Sequence, residues 1–433
     1  MSRIKRGTSY RSFDYLDAGV DYRAFELAPE VGRVPEHPVP LDAEQTARYE
    51  HLLEELVLIS LHEHLGVFPA DLAQTRDLVR EGRMATAFEG LAAAHWDVVF
   101  DNLMDGICTI HSRGGWKWTE VLHDLGIRLC DLAHQDFVFH ATRVDDLLRA
   151  HRDGRVAWVA SMEGAAMIEN ELDRIDQLYG FGVRALGIAY SESNALGSGL
   201  REPCDGGLTV FGKKAVERMN KVGMLIDCSH CGDQTTLDTI AASEQPIVLS
   251  HIGARALWDS NRLAPDEVLV ACAEKGGVIG IEAAPHTTLT ARHPRHSLES
   301  FMEHFEYTVG LVGIDHVAFG PDTLYGDHVG LHEAYAANLS IDRSRAGKSA
   351  SGGDAAEGGT GATTARAGNA PSKNPPFEKV PPFEKVRYVA GLENPTESST
   401  NILRWLIAHG WSDQDVAKAM GENVLRVLRQ VWA

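Results

Sequence analysis

Cysteine is scarce in this chain. Six cysteines (Cys108, Cys130, Cys204, Cys228, Cys231 and Cys272) are spread over 433 residues, too few and too scattered for a disulfide framework. Cys228 and Cys231 form a Cys-x-x-Cys spacing, but they end a strand-like run, whereas a redox pair needs the start of a helix to lower a thiol pKa. We therefore expect packing cysteines and a reducing, cytoplasmic location.

Long apolar runs and basic residues are also lacking. No run of about 18 apolar residues occurs, and no apolar segment follows the basic start MSRIKRGTSYRSFDYLD, so we expect neither a membrane span nor secretion. Lys and Arg number 41 against 61 Asp and Glu, which gives a formal charge of −20. A chain this acidic is a poor partner for nucleic acids and anionic lipid surfaces.

Two common functional motifs are missing. There is no Gly-x-Ser-x-Gly elbow, which disfavours a serine hydrolase of the α/β type. No Gly-x-Gly-x-x-Gly turn follows a strand, which disfavours a dinucleotide-binding domain.

Short apolar runs do alternate with amphipathic stretches in a β/α rhythm. Eight strands are predicted: VLISLH (57–62), GICTIH (106–111), VAWVASME (156–163), RALGIAY (184–190), MLIDCSH (224–230), PIVLSH (246–251), GGVIGIEA (276–283) and HVAFGPD (316–322). Eight repeats over 266 residues fit an α/β fold of the closed (β/α)₈ type, for which about 250 residues are typical. The rhythm alone also permits an open doubly wound sheet.

The segments around this repeat differ in composition. Residues 1–42 are rich in Pro, Gly and charge and predict an extended N-terminal arm before the barrel of residues 43–339. Residues 340–386 form a low-complexity insert rich in Gly, Ala, Ser and Thr, in which PPFEKV occurs twice. Residues 387–433 contain two amphipathic helices that we expect to complete the barrel domain.

Potential metal ligands stand at the ends of five predicted strands. In a (β/α)₈ barrel those ends meet at one rim, where active sites are built. A single His or Glu at a strand end is usually structural, but the joint pattern favours a metal site, and imidazole with carboxylate is the ligand set of zinc or a similar ion. The candidates are His62, His64, Glu163, His230, His251 and Asp322. A bridging Glu163 would allow two divalent ions, with zinc expected.

Several longer motifs resemble the membrane dipeptidase (renal dipeptidase) family of the amidohydrolase superfamily. They are SMEGAAMIENELDRIDQLYGFGVRALGIAYSESN, GGLTVFGKKAVERMNKVGMLIDCSH, PIVLSHIGARAL, NRLAPDEVL, GIDHVAFGPD and AMGENVLRVLRQV. The resemblance covers most of the chain from about residue 57, apart from the insert. It implies a binuclear zinc hydrolase that cuts dipeptides on a (β/α)₈ barrel.

The resemblance also implies roles for individual residues. Glu163 matches the bridging carboxylate, and His230 and His251 match the ligands of the second metal. Asp322 matches the acid that handles the proton. Arg262 matches the arginine that binds the substrate carboxylate, and Asn194, in SESN, is a further expected substrate contact.

Two positions depart from the family pattern. The chain has His62-x-His64 where the family has His-x-Asp, a change that keeps metal binding. Tyr190 stands where the family has a His that steadies the developing oxyanion. A phenol can donate one hydrogen bond but cannot carry the positive charge of an imidazolium.

The sequence therefore predicts a metal-dependent hydrolase that uses a metal-bridging hydroxide to cleave dipeptides or similar small carboxylate-bearing amides. One alternative is a superfamily hydrolase acting on another amide, a carbamate or a lactone. Another is a catalytically inactive binding or scaffold barrel. The expected partner is a dipeptide or other small molecule, and homo-oligomerisation stays open.

Overall fold

The structure, a computed structural model, describes residues 7–103, 116–338 and 383–432. The predicted strand GICTIH (106–111) lies outside these residues, as does most of the low-complexity insert. Described residues of the predicted barrel and of the C-terminal segment form one fold.

Eight parallel strands curl into a barrel. They are β1 (Ile59–Val67), β3 (Val98–Asn102), β5 (Val156–Met162), β6 (Val183–Gly187), β7 (Leu225–Asp227), β8 (Val248–Ile252), β9 (Val278–Ile281) and β10 (Val317–Phe319). Each pairs with the next in this order. The short β11 (Leu324–Tyr325) follows β10 and pairs in parallel with β1, which closes the ring. The predicted (β/α)₈ barrel is confirmed, and the open doubly wound sheet is wrong.

The second barrel strand was not among the predicted strands. β3 lies between β1 and β5, with Val98 opposite both Ile59 and Ala157. Its sequence VVFDN has three apolar residues before two polar ones. Two further short strands flank the barrel: β2 (Ala85–Thr86) pairs with β1, and β4 (Val138–His140) pairs with β5.

Helices cover the outside of the barrel. They are α1 (Ala43–Glu55), α2 (Thr75–Glu81), α3 (Phe88–Ala93), α4 (Trp118–Leu132), α5 (Val144–Asp153), α6 (Asp173–Gly180), α7 (Val210–Val222), α8 (Asp233–Ala242), α9 (Asp266–Glu274), α10 (Leu298–Val312), α11 (His328–Asn338), α12 (Pro395–Ala408), α13 (Asp413–Ala417) and α14 (Asn423–Val431). Several have clear end signals. The Thr209 side chain accepts the Gly212 N–H to begin α7, and Gly223 ends that helix with φ of 80°.

The barrel interior is filled by alternate strand residues. These inward side chains are Ile59, Leu61, Val98, Phe100, Ala157, Val159, Ala185, Leu225, Val248, Val278 and Ala318. All are buried, and they pack with the apolar face of α14, including Val424, Val427 and Leu428. The last helix therefore closes the base of the barrel and leaves the opposite rim for the site.

The final predicted helix is interrupted. A π-helical turn over Lys418–Glu422 separates α13 from α14. Gly421 in this turn lies so close to the start of β1 that an added Cβ would be 2.1 Å from the Val57 carbonyl oxygen. Asn423 then donates to the carbonyl of Val317 (2.9 Å), which fixes α14 against β10. The close approach to the barrel, which a helical period does not reveal, explains the break.

The N-terminal arm packs along the barrel without a helix in its described part. The Phe13 N–H donates to Asp131 (2.9 Å), and the phenyl ring is buried. Farther on, the Ala28 N–H donates to the Phe68 carbonyl (2.8 Å).

In the described ranges, no helix combines the length and apolar character needed to cross a membrane. The five cysteines in these ranges, all except Cys108, are free thiols.

Candidate metal centre

Two local shifts in strand register turn histidines toward the barrel centre. Ile59 and Leu61 face the interior, so a regular β1 would place Glu63 there next. The β1–β3 register shifts between Ser60 and Glu63, and this irregularity changes which side chains face inward, so that His62 and His64 meet. The β8–β9 register also shifts between Leu249 and Ile252, around His251.

One group of potential metal ligands surrounds Glu163, which directly follows β5. Its Oε1 lies 3.0 Å from His230 Nε2 and 3.1 Å from His251 Nε2. The two imidazole nitrogens are 3.0 Å apart. Three atoms from three different strand ends thus converge, and all three residues are buried.

A second group is formed by the two β1 histidines and Asp322. Asp322 Oδ1 lies 3.2 Å from Nε2 of both His62 and His64, and these nitrogens are 3.3 Å apart. Glu163 stands between the two groups, with Oε1 3.7 Å from His62 and Oε2 3.9 Å from His64. The structure therefore brings the six predicted residues together as two triads. The Glu163 carboxylate belongs to one triad and also faces the histidines of the other.

The spacing of these atoms fits divalent ions. Nitrogen and oxygen ligands at about 2.0–2.1 Å from a tetrahedral zinc ion lie about 3.3 Å from one another. The separations within both groups, 3.0–3.3 Å, match this value. The donor set of imidazole and carboxylate is also that of zinc and related ions.

Burial keeps three of the four histidines ready to bind a cation. It lowers the pKa of His62, and it lowers the pKa of His230 and of His251 well below the ordinary value. Burial also acts to lower the pKa of His64, but the hydrogen bond to Asp322 and the charge of Glu163 raise it to about 9. Burial acts to raise the pKa of Asp322, yet its contacts with His62 and His64 bring it well below its usual range.

The far sides of the imidazoles are held by residues that the sequence analysis missed. His64 Nδ1 donates to the Asn102 carbonyl (3.0 Å), and the Asn102 amide lies 2.8 Å from His62 Nδ1. His251 Nδ1 donates to Ser250 Oγ (2.8 Å), which itself donates to Asp227 (2.5 Å). Such partners orient ligating histidines. Asp227 could have been found in the quoted DCSH motif, whereas Asn102 belongs to the strand that was not predicted.

Asp322 adopts a backbone conformation that is rare for a non-glycine residue, with φ of 59°. Its N–H donates to the His62 carbonyl (3.1 Å), and the N–H of His64 donates to the Thr323 carbonyl (3.0 Å). The buried Glu63 accepts both the N–H (2.9 Å) and the hydroxyl (2.6 Å) of Thr323. These bonds to β1 hold the Asp322 carboxylate over the histidines despite the backbone strain.

The three remaining predicted site residues lie on loops at the same rim. Arg262 donates through Nη2 to the His251 carbonyl (3.1 Å), and its buried Nη1 has no hydrogen-bond partner in the described ranges. Tyr190 stacks on His230, with ring centroids 4.2 Å apart. The Asn194 amide donates to the Ile188 carbonyl (2.7 Å) and accepts the Leu196 N–H (2.8 Å), so it braces its own loop. A substrate contact by Asn194 stays a prediction.

Comparison with known proteins places this chain in a family. A family model described as membrane dipeptidase, peptidase family M19, matches residues 46–335. Dipeptidase tcpJ of Claviceps purpurea is 26% identical over 367 residues, which are 82% of this chain and 71% of that protein.

Two solved structures share the fold. An amidohydrolase from Pseudomonas aeruginosa superposes with a TM-score of 0.66 and 20% identity, over 89% of this chain and 99% of that one. A metallopeptidase from Rhodobacter sphaeroides, liganded with a phosphinate mimic of the dipeptide L-Ala-D-Ala, superposes with a TM-score of 0.59 and 17% identity, over 87% and 99%. The match to the family model spans more than half of the chain, which therefore belongs to the membrane dipeptidase family, peptidase family M19.

Proposed function

We propose that the protein is a binuclear metal-dependent dipeptidase that takes small substrates with a free carboxylate. The observation that carries this proposal is the pair of ligand triads, His62/His64/Asp322 and Glu163/His230/His251, with Glu163 between them. Membership of the family supplies the reaction class. A cytoplasmic location, where free thiols stay reduced, is part of the same proposal.

Two divalent ions held by these residues would supply an activated water for attack on the amide carbonyl. Asp322 belongs to the triad with His62 and His64 and is the residue proposed to accept the proton of that water and deliver it to the leaving nitrogen. Arg262 approaches from the loop after β8 and is proposed to bind the substrate carboxylate through Nη1, which has no partner among the described residues. The Tyr190 hydroxyl is proposed to donate to the developing oxyanion.

Replacement of Arg262 by Ala should remove the preference for a free C-terminus. We expect kcat/KM for a free dipeptide to fall roughly ten- to a hundredfold, since a charged hydrogen bond contributes about 1.5–3 kcal/mol. The rate for the C-terminally amidated dipeptide should hardly change. Steady-state kinetics on the matched pair of substrates measures both effects.

The exposed Arg292 provides the control for that substitution, because Arg292→Ala removes the same charge from a side chain that is 81% exposed and pairs with Glu303. Equal wild-type activity on free and amidated dipeptides would rule out the carboxylate-binding role. It would instead favour the second candidate, a hydrolase of another amide, a carbamate or a lactone, which the Tyr190 departure from the family also suggests.

Tyr190→Phe tests the oxyanion role, because it removes the hydroxyl and keeps the ring that stacks on His230. A preorganised donor to an oxyanion is worth about 2.7–4 kcal/mol. We expect kcat on the best dipeptide to fall on the order of a hundredfold or more, with KM little changed. A kcat within about twofold of wild type would show that Tyr190 serves only as a wall of the pocket.

A further inference from the structure

Glu282 occupies a strand-end position that the proposed mechanism does not use. It follows β9 directly, and its N–H donates to the Ile252 carbonyl at the end of β8 (3.2 Å). The next N–H, of Ala283, donates to the Pro321 carbonyl (2.9 Å), one residue before Asp322. The Glu282 backbone therefore lies at the rim, between the strand that carries His251 and the loop that carries Asp322.

The Glu282 carboxylate is buried but only half satisfied. The residue has no solvent exposure (0%), and Oε2 accepts the Ala284 N–H (2.7 Å). Oε1 has no hydrogen-bond partner in the part of the chain that the structure describes. A buried carboxylate oxygen without a donor is costly, so its retention in a site calls for a ligand that supplies one.

Arg262 is the charged neighbour of this carboxylate. Burial raises the pKa of Glu282, and the positive charge of Arg262, followed by a hydrogen bond with the Thr287 side chain, acts against that rise. Nη1 of Arg262 is also buried without a partner among the described residues. The rim thus offers a cation and an anion whose charges interact, each with one hydrogen-bonding atom that lacks a partner among the described residues. A ligand that carries both a carboxylate and an ammonium group would satisfy both.

We propose that Glu282 is a specificity residue that binds an ammonium group of the substrate next to the carboxylate bound by Arg262. This inference rests on the proposed dipeptidase function and specifies its substrate class. The ammonium could belong to a basic side chain of the C-terminal residue or to the N-terminus of the dipeptide. Both sources share the chemistry of a charged N–H donor to a carboxylate.

Two pairs of substrates distinguish the sources, assayed on the metal-loaded enzyme. Alanyl-lysine and alanyl-norleucine differ in the side-chain ammonium, and alanyl-norleucine and propionyl-norleucine differ in the N-terminal ammonium. We expect the wild type to prefer the ammonium-bearing member of one pair by roughly ten- to a hundredfold in kcat/KM. This preference is measured without any variant, so the test does not depend on the folding of a mutant.

Glu282→Gln should then abolish that preference while keeping the preference for a free over an amidated C-terminus. Glu303→Gln is the matched control and should leave both preferences intact, since Glu303 lies on α10 and accepts the hydroxyl of Thr290 from the β9–α10 loop. No wild-type preference in either pair would overturn the inference. If Glu282→Gln lowered kcat/KM equally for both members of each pair, Glu282 would only position Arg262. If no member of either pair is hydrolysed, the proposed dipeptidase function itself fails.

Discussion

Glu163→Gln should abolish at least half of the metal binding and nearly all activity. In the wild type Oε1 lies 3.0–3.1 Å from the His230 and His251 nitrogens, and the carboxylate also faces His62 and His64. An amide has one acceptor oxygen and no charge, so it cannot serve both triads. We expect bound metal to fall from about two ions per chain to about one or fewer. kcat/KM should fall on the order of a thousandfold, because an ion contributes several kcal/mol to the transition state.

Elemental analysis and dipeptide hydrolysis measure these two effects on the same sample. Glu303→Gln is again the control, because it makes the same chemical change on α10, away from the ligands. Unchanged metal content and activity in Glu163→Gln would show that the two triads do not depend on a shared carboxylate.

Asp322→Asn should impair proton transfer while leaving the fold intact. Asn tolerates the left-handed conformation that Asp322 adopts, with φ of 59°, so the loop should keep its shape. The amide cannot accept a proton as a carboxylate does, and general acid–base catalysis contributes about 10²–10⁴-fold. We therefore expect kcat to fall by about that factor, while KM changes little.

Metal content and circular dichroism provide the checks on this variant. Retained metal with lost kcat supports the proton-handling role of Asp322. Loss of one ion together with activity would show that its contact with His62 and His64, at 3.2 Å each, serves mainly to bind metal. Activity close to wild type would exclude both roles.

The barrel could be predicted from the eight β/α repeats, and the strand ends of such a fold carry the candidate metal ligands. His62, Glu163, His230, His251 and Asp322 were each identified by their position at the end of an apolar run. Parallel strands bring such ends to one rim, so their proximity follows from the topology. The grouping of these residues was therefore predictable from the sequence, whereas their role as metal ligands stays a prediction.

What the sequence could not predict depends on register and packing. The β1 shift that turns His62 and His64 inward is a local irregularity with no compositional mark. The positive φ of Asp322 accompanies hydrogen bonds to β1 that the sequence does not reveal. The free oxygen of Glu282 becomes visible only once its partners are counted in three dimensions.

The most direct test of the binuclear site is a metal titration of the hydrolysis rate. The full-length protein is stripped of metal with a chelator, Zn²⁺ is added in known equivalents, and release of amino acids from a dipeptide is followed. If the two triads that meet at Glu163 hold two ions, the stripped protein should have no activity. The rate should then rise with added Zn²⁺ and reach its plateau at about two equivalents per chain. Full activity in the metal-free protein, or a plateau at one equivalent, would contradict the binuclear site.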